Sequence, residues 1–278
     1  MRVVRLSPFD TPWPPADRDI TQLLVTTGGQ HGFETPAAAD RERLGRIASL
    51  RQSPDPRALV VARRLANCER GARCLSPACS FCVGRTRIWI YGEIARLWNL
   101  RGSTAAADLY LITLVHEDWI RSKSALPDFD PKALVDRVRH QFLRAGIPGV
   151  TVLGAVHGEF DEQRGCWQPH LHLAARGMRQ ADLNLLRHRH YRRSSHIDRP
   201  MVVQPVDYPA RQISYLYKSY WPMRIRYIDA FGQKQSTFRR IPEPYHSQYL
   251  IMLDQVNLLD LVLLIGVRRY GNTLQRVP

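Results

Sequence analysis

The sequence predicts an α+β fold of the ferredoxin-like kind, an antiparallel sheet with helices on one face, preceded by a four-cysteine zinc-binding segment. Three observations predict it. Between residues 105 and 225, apolar runs of strand length alternate with helical stripes in the order β-α-β-β-α-β. The two central strands are joined by Asp161-Glu162-Gln163-Arg164-Gly165, a loop of hairpin length. Four of the five cysteines fall between Cys68 and Cys82, spaced C-x5-C-x4-C-x2-C.

Taken in chain order, residues 1–57 are rich in Pro, Asp, Arg and Thr and read as an N-terminal arm with one short helix near Ala37 to Arg51. Residues 58–104 are the zinc-binding segment and a helix from Arg85 to Leu100, whose stripe Ile90, Ile94, Leu97 and Trp98 stops at Gly102. The core, residues 105–225, opens with the apolar strand Leu109–His116. Asp130 and Pro131 then start a helix as cap and first-turn residue, Leu134, Val135, Val138 and Phe142 form its buried face, and Gly146 ends it. Val150–Phe160 and Trp167–Ala175 are the hairpin strands. A helix over Gln180–His190, a strand over Met201–Val206 and a helix from Pro209 to about Trp221 complete the unit. Residues 226–278 hold the rest of a hairpin turning at Gly232 and a buried helix from Tyr245 to Gly266. The uncovered face of such a sheet is free to bind or react.

Charge narrows the partner class. The chain carries a net charge of +15 and an isoelectric point near 10.2, which favours a polyanion, nucleic acid before a membrane surface. Only Lys123, Lys132, Lys218 and Lys234 are lysines, so 36 of the 40 basic residues are arginine. A GC-rich genome accounts for that choice of cation but not for the net charge. The longest apolar run, Leu258–Val267, is too short to span a bilayer and contains Asp260. The N-terminal residues lack the apolar stretch of a secretory signal. A cytoplasmic protein without membrane association is expected. In a reducing compartment, Cys68, Cys74, Cys79 and Cys82 read as ligands of one structural zinc, since four thiolates satisfy a tetrahedral ion. Cys166 has no nearby partner and is an ordinary small residue.

His170 and His172 stand two apart on the second hairpin strand, so their imidazoles share one face while Leu171 and Leu173 point to the core. Such a pair can hold one divalent ion, although ten histidines supply roughly 0.4 such pairs by chance. A second pair, His188 and His190, lies in Arg-His-Arg-His-Tyr-Arg-Arg without apolar alternation and reads as a basic helix end. Its Arg187, Arg189, Arg192 and Arg193, together with Arg211, are the expected phosphate-contacting residues. A metal site wants a third ligand, and the neighbouring strand offers His157 and Glu159 on one face. Glu159 is the choice, because a carboxylate with two imidazoles suits Mn2+ or Mg2+; His157 and then His116 follow.

The second constellation is Tyr215-Leu216-Tyr217-Lys218. Tyr-x-x-Lys should occur only about 0.16 times by chance, and this is its single instance. On a helix, Ile213, Leu216, Tyr217 and Tyr220 follow the i, i+3, i+4, i+7 rule and form the buried stripe. Tyr215 lies on the other side beside Arg211 and Lys218, where positive charge favours a phenolate.

The cysteine cluster ending Arg73-Cys74-Leu75-Ser76-Pro77-Ala78-Cys79-Ser80-Phe81-Cys82, the apolar strand from Leu109, the run Cys166-Trp167-Gln168-Pro169-His170-Leu171-His172-Leu173-Ala174-Ala175, and then Tyr215 to Lys218 resemble, in order and spacing, the HUH-type rolling-circle replication initiators. The histidines-before-tyrosine order is that of plasmid replication proteins and related transposases, and the likeness covers roughly residues 60–225. It implies a ferredoxin-like sheet and a single-strand DNA nicking and joining enzyme. His170, His172 and Glu159 would hold a divalent ion that polarises the scissile phosphate. Tyr215 would attack phosphorus, giving a 5′-phosphotyrosine and a free 3′-hydroxyl, and Lys218 would orient metal and phosphate. The implied partners are single-stranded DNA or an origin hairpin, with host replication proteins. Three departures stand out. Gln168 occupies a position where relatives often carry histidine, which makes it a supporting group. Arg211 stands where some relatives place a glutamate that activates water. Tyr220 is five residues after Tyr215, about 140° round a helix, which predicts a single nucleophile.

Two other readings compete. A zinc-containing nucleic-acid module that binds without cutting would carry stacking aromatics on the open sheet face, where this sequence has His and Glu. A histidine-triad nucleotide hydrolase would need a histidine at the next alternating position, which is Ala174.

Overall fold

The computed structural model describes residues 33–69, 71–100, 108–218, 220–271 and 273–277. Most of the expected N-terminal arm and the expected helix stop at Gly102 lie outside them.

Three helices come first. In Pro36–Gln52 (α1), the Thr35 hydroxyl accepts the Ala38 N–H at 3.2 Å, and Pro36 fills a first-turn position where a missing N–H costs nothing. Pro56–Ala66 (α2) is built alike: Asp55 accepts the Arg57 N–H at 2.9 Å, and Ala58, Val61, Ala62 and Leu65 are buried. No helix is expected there from the sequence analysis, although Asp55-Pro56 is the same cap that announces the later helix at Asp130-Pro131. Ser80–Trp98 (α3) starts before the expected Arg85 and therefore carries Cys82 in its first turn; it ends at Asn99, which takes a left-handed φ of 50°.

The sheet strands are Leu109–Val115 (β1), Arg121–Ser122 (β2), Thr151–Asp161 (β3), Cys166–Arg176 (β4) and Met201–Pro205 (β5). Between them run Pro131–Ala145 (α4), Gln180–His190 (α5) and, after β5, Pro209–Tyr215 (α6). Asp130 caps α4 by accepting the Lys132 and Ala133 N–H groups, and Gly146 closes it at φ 62°. The expected helix to Trp221 is corrected: α6 ends at Tyr215. Lys218 N–H already bonds the Tyr215 carbonyl in a three-residue turn, and Pro222 bars helical backbone at Trp221.

Met223–Ile228 (β6) and Lys234–Arg239 (β7) form the expected hairpin, with Gly232 at φ 75°. The expected helix from Tyr245 to Gly266 is also corrected. Only Tyr245–Asp254 (α7) is α-helical, and the chain continues as Val262–Ile265 (β8), Val267–Tyr270 (β9) and Thr273–Arg276 (β10). Asn257 caps a short 3-10 turn, after which Leu263 and Ile265 alternate into the core.

The main sheet runs β5-β1-β4-β3-β6-β7, with β2 beside β4 and β8 beside β3. All pairings in it are antiparallel except β3 with β6. This is a mixed α+β fold with an antiparallel-dominated sheet. The outer edge of β3 is shared: β8 pairs with Val152–Ala155 and β6 with Phe160 and Asp161, so its backbone groups are satisfied at both ends.

One sheet face, with Ile112, Leu114, Val152, Val156, Phe160, Leu171 and Leu173, packs in a cluster with α4, α5 and α7. The other face is not left open as expected. Leu153, Ala155 and Ala174 on it are covered by Ile90 and Ile94 of α3 and Ile213 of α6. Only the part that bears His157, Glu159, His170 and His172 faces a cleft.

Gly158 lies between two of those cleft residues and points to the opposite face. A Cβ there would come within 2.3 Å of the Trp221 ring, which is itself buried. Gly158→Ala is expected to lower stability by about 1–3 kcal/mol through overpacking, read as a lower urea midpoint, whereas Gly232→Ala, with open space around it, should cost only backbone strain.

Candidate active site and metal centre

Register assembles the site. In the β3–β4 ladder His157 pairs with His170, Ala155 with His172 and Glu159 with Gln168, so the three imidazoles and the carboxylate fall on one face. His170 Nε2 and His172 Nε2 approach to 3.1 Å. Each ring is steered from behind: His170 Nδ1–H donates to the Gln168 carbonyl at 2.9 Å, and His172 Nδ1 pairs with the Thr113 hydroxyl at 2.9 Å. The His170 contact leaves its Nε2 lone pair aimed at the shared point, the arrangement that outer hydrogen bonds impose on metal-binding histidines. Burial, chiefly, lowers the pKa of both imidazoles from the ordinary 6.5 and so favours their neutral form.

His157 is the third ring of the group, 4.7 Å from His172 and 6.1 Å from His170 between centroids. Its Nε2 lies 2.6 Å from the Leu216 carbonyl, and burial pushes its pKa down to about 3, with the neighbouring His170 imidazole adding to the effect. His116 stands apart; its Nδ1 accepts the Asp118 N–H at 3.2 Å and caps a short turn.

Glu159 does not face the pair unencumbered. Arg224 grips its carboxylate twice, Nη2 to Oε2 at 2.8 Å and Nε to Oε1 at 2.7 Å, and only 5% of the residue is exposed. Among the described residues, the four cysteines are the one group that brings at least three ligand atoms within 4.8 Å of each other. His170, His172 and Glu159 do not form such a set, and the Glu159 carboxylate is engaged by Arg224 instead. Asp161, fully buried, is held likewise by Arg226 at 2.9 and 3.1 Å and by the Gln168 amide at 3.3 Å.

Tyr215 faces the histidines from α6, its ring 5.5 Å from His172 and stacked 6.0 Å from His157. It is 46% exposed, while Ile213, Leu216 and Tyr217 are buried as the helical stripe predicts. Lys218 Nζ sits 5.2 Å from the Tyr215 ring and equally 5.2 Å from Tyr220. Two expectations change here. The phenol is not driven toward phenolate: partial burial raises its pKa above 10, Glu159 adds to that, and Arg224 and Arg87 only offset it. Tyr220 is not a core residue on the same helix; it lines the same cleft, and its hydroxyl donates to the Arg239 carbonyl at 2.9 Å. The helical divergence of the two tyrosines therefore does not apply.

The cleft has a volume of about 560 Å³. Arg164, Arg199, Arg224 and Arg226 line it, all missed by the sequence analysis, although Arg224 and Arg226 alternate on one strand face as the histidines do. Asp198 and Arg199 also line a second hollow, with Arg187, Arg192 and Arg193 at the end of α5; a third holds Arg189 with Arg192 and Arg193. Four of the expected phosphate contacts thus lie on a surface continuous with the cleft. The side chain of Arg211 lies outside the described part.

The cysteine cluster lies away from the cleft. Sγ separations of 3.4 Å for Cys68–Cys82 and 3.7 Å for both Cys74–Cys82 and Cys68–Cys79 match the edges, roughly 3.8 Å, of a tetrahedron with 2.3 Å bonds. The four are placed to bind a metal ion, an arrangement consistent with structural zinc. Leu75 turns the chain between them at a left-handed φ of 54°, which costs an L-residue roughly 1–2 kcal/mol.

Compared with family models, curated proteins and solved structures, the chain matches none.

Metal analysis is expected to find about one ion per chain bound to thiolates, lost with a lower melting temperature in Cys79→Ser and retained in Cys166→Ser. Burial lowers the pKa of both cleft imidazoles, so a divalent ion held by them would resist mild acid better than one held by exposed histidines, and calorimetric titration would show it lost in His172→Ala.

Proposed function

We propose that this protein is a single-strand DNA nicking and joining endonuclease of the HUH kind that initiates rolling-circle replication or transposition. One observation carries the reading: the two converging Nε2 atoms of His170 and His172 face the exposed ring of Tyr215 across an arginine-lined cleft. The strand order β5-β1-β4-β3, with α4 and α5 as the crossovers, supports the ferredoxin-like reading of the core. The cysteine cluster fits a structural zinc.

The histidine pair fits a divalent ion such as Mn2+ or Mg2+, because the Nε2 atoms of two buried imidazoles converge on one point. Such an ion supplies Lewis-acid polarisation of a phosphate oxygen. Glu159 would join it only by exchanging Arg224; otherwise the carboxylate serves to fix that guanidinium beside the cleft. The remaining chemistry belongs to the chain. Arg164, Arg199 and Arg226 bind and orient the phosphates of a single strand, and Lys218 stabilises the charge that develops on the phosphate. Tyr215 Oη attacks phosphorus and the bond to the 3′ oxygen breaks; the upstream fragment leaves with a free 3′-hydroxyl and the downstream fragment stays on the tyrosine through its 5′ phosphate. The phenol keeps its proton at neutral pH, so attack requires that proton to leave Oη to solvent, and the departing 3′ oxygen takes one up from solvent.

Incubation with single-stranded oligonucleotide libraries and Mn2+, followed by denaturing gels, should give a covalent adduct. Tyr215→Phe should keep fold, bound metal and DNA affinity and lose the adduct; Lys218→Ala should slow its formation by about a hundredfold. Adduct persisting in Tyr215→Phe with a phosphonucleotide mapped to Tyr220 would reassign the nucleophile. DNA binding with no adduct across the libraries would favour a non-catalytic module. Because the phenol titrates above its ordinary 10, the initial rate should rise steadily with pH from neutral into the alkaline range.

A further inference from the structure

The β6–β7 hairpin leaves the cleft wall and ends in solvent. All six residues of β7 are exposed, as are Tyr227 and Ile228 at the end of β6. Cross-strand register puts Arg224 opposite Phe238, Arg226 opposite Ser236 and Ile228 opposite Lys234, so these six share one face. That face starts in the cleft, which Arg224, Arg226 and Phe238 line, and runs out to the turn.

The turn is rigid, and its tip is apolar. Asp229 Oδ1 accepts the N–H groups of Phe231 and Gln233, each at 2.9 Å, and its Oδ2 accepts the Gln235 amide at 3.2 Å. The Gly232 N–H closes the loop onto the Asp229 carbonyl at 3.0 Å. On that frame Phe231 is 87% exposed and Ile228 70%. Phe231 is the most exposed large hydrophobic side chain among the described residues.

Charge selects the partner. Of the five cations in residues 223–240, Arg224 and Arg226 are paired with Glu159 and Asp161 and Arg240 with Glu42, which leaves Lys234 and Arg239 on β7; the one carboxylate of the hairpin, Asp229, is spent on the turn. A second copy of the chain is disfavoured along the free edge of β7. In antiparallel register it would set Lys234 opposite Arg239, and in parallel register each cation opposite itself. A cationic two-stranded ribbon with an apolar tip suits duplex DNA, whose phosphates take the flanks and whose base step takes the ring.

We propose that the hairpin is a strand-opening wedge. It seats on the duplex adjoining the single strand in the cleft, where Phe231 displaces the terminal base pair and stacks on the pair beneath it. This rests on the DNA-processing reading above, but its test needs no cleavage. The full chain, without added divalent ion, is titrated onto a hairpin oligonucleotide with a single-stranded arm and 2-aminopurine in the terminal base pair. A plain single strand is the control. Fluorescence is expected to rise on binding, as the base unstacks. Phe231→Ala with Ile228→Ala should abolish that rise and weaken junction binding about tenfold or more, with single-strand affinity within about twofold. Lys234→Gln with Arg239→Gln should weaken junction binding and flatten its salt dependence.

Unchanged junction affinity and fluorescence in the tip variant would overturn the wedge, whether or not Tyr215 forms adducts. So would light scattering that shows a dimer of the wild-type chain which the tip changes dissociate, since the hairpin would then be an interface between copies. Failure of the wild-type chain to prefer the junction over the single strand would overturn it as well. An absent adduct alongside an intact junction response would instead remove the nicking reading and leave the wedge standing.

Discussion

The antiparallel register of β3 with β4 is the constraint on which the rest depends. The ladder pairs Thr151–Asp161 with Arg176–Cys166 without a bulge, and a slip of one residue would turn every imidazole into the core. The core itself forbids the slip. Gly154 and Gly158 alternate with the cleft residues on β3, and a Cβ at either would collide with Leu173 or Trp221. The apolar face is so tightly packed beneath the site that only one alignment of the strands fits. What reaches the cleft is therefore decided from behind.

Electrostatics inside the cleft follow from burial more than from proximity of charge. Four arginines surround the site, yet Tyr215 is held in its neutral form, because the desolvation of a phenolate outweighs cations that are already engaged. Arg224 and Arg226 spend their charge on Glu159 and Asp161, two carboxylates that the sheet buries. Such pairs neutralise each other and fix guanidinium planes in position, which suits orientation of a ligand more than attraction of one.

The parts legible in the sequence are those set by local chemistry. Asp130, Pro131 and Gly146 delimit α4, and alternation along Trp167–Leu173 places His170 and His172 on one face. The cysteine spacing leads to a group with metal-binding geometry. The parts that were not legible depend on contacts distant in sequence. Whether Val262–Ile265 is strand or helix is decided by the unfilled edge of β3. The end of α6 depends on Pro222, seven residues past Tyr215, together with the need to seat Trp221 against Gly158. The grip of Arg224 on Glu159 joins residues far apart in the chain, and no spacing rule reaches it. The coverage of half the second sheet face by α3 and α6 is equally non-local.

Helix α3 joins two parts of the molecule that the sheet keeps separate. Cys79 caps it, Cys82 lies in its first turn, and Arg87 donates through Nε to the Ser214 carbonyl at 2.5 Å, next to Tyr215. At 1.5 Å per residue, Cys82 and Arg87 are roughly 7.5 Å apart along one rigid axis. No strand pairing involves a cysteine of that cluster. A chain whose cysteine site is empty would keep the ladder that holds the histidines but lose the anchor that sets the axial position of α3, and with it the support of the Ser214–Tyr215 backbone. The face that carries the histidines and the ring that meets it are thus set by independent means, one by strand register and the other by a thiolate cluster.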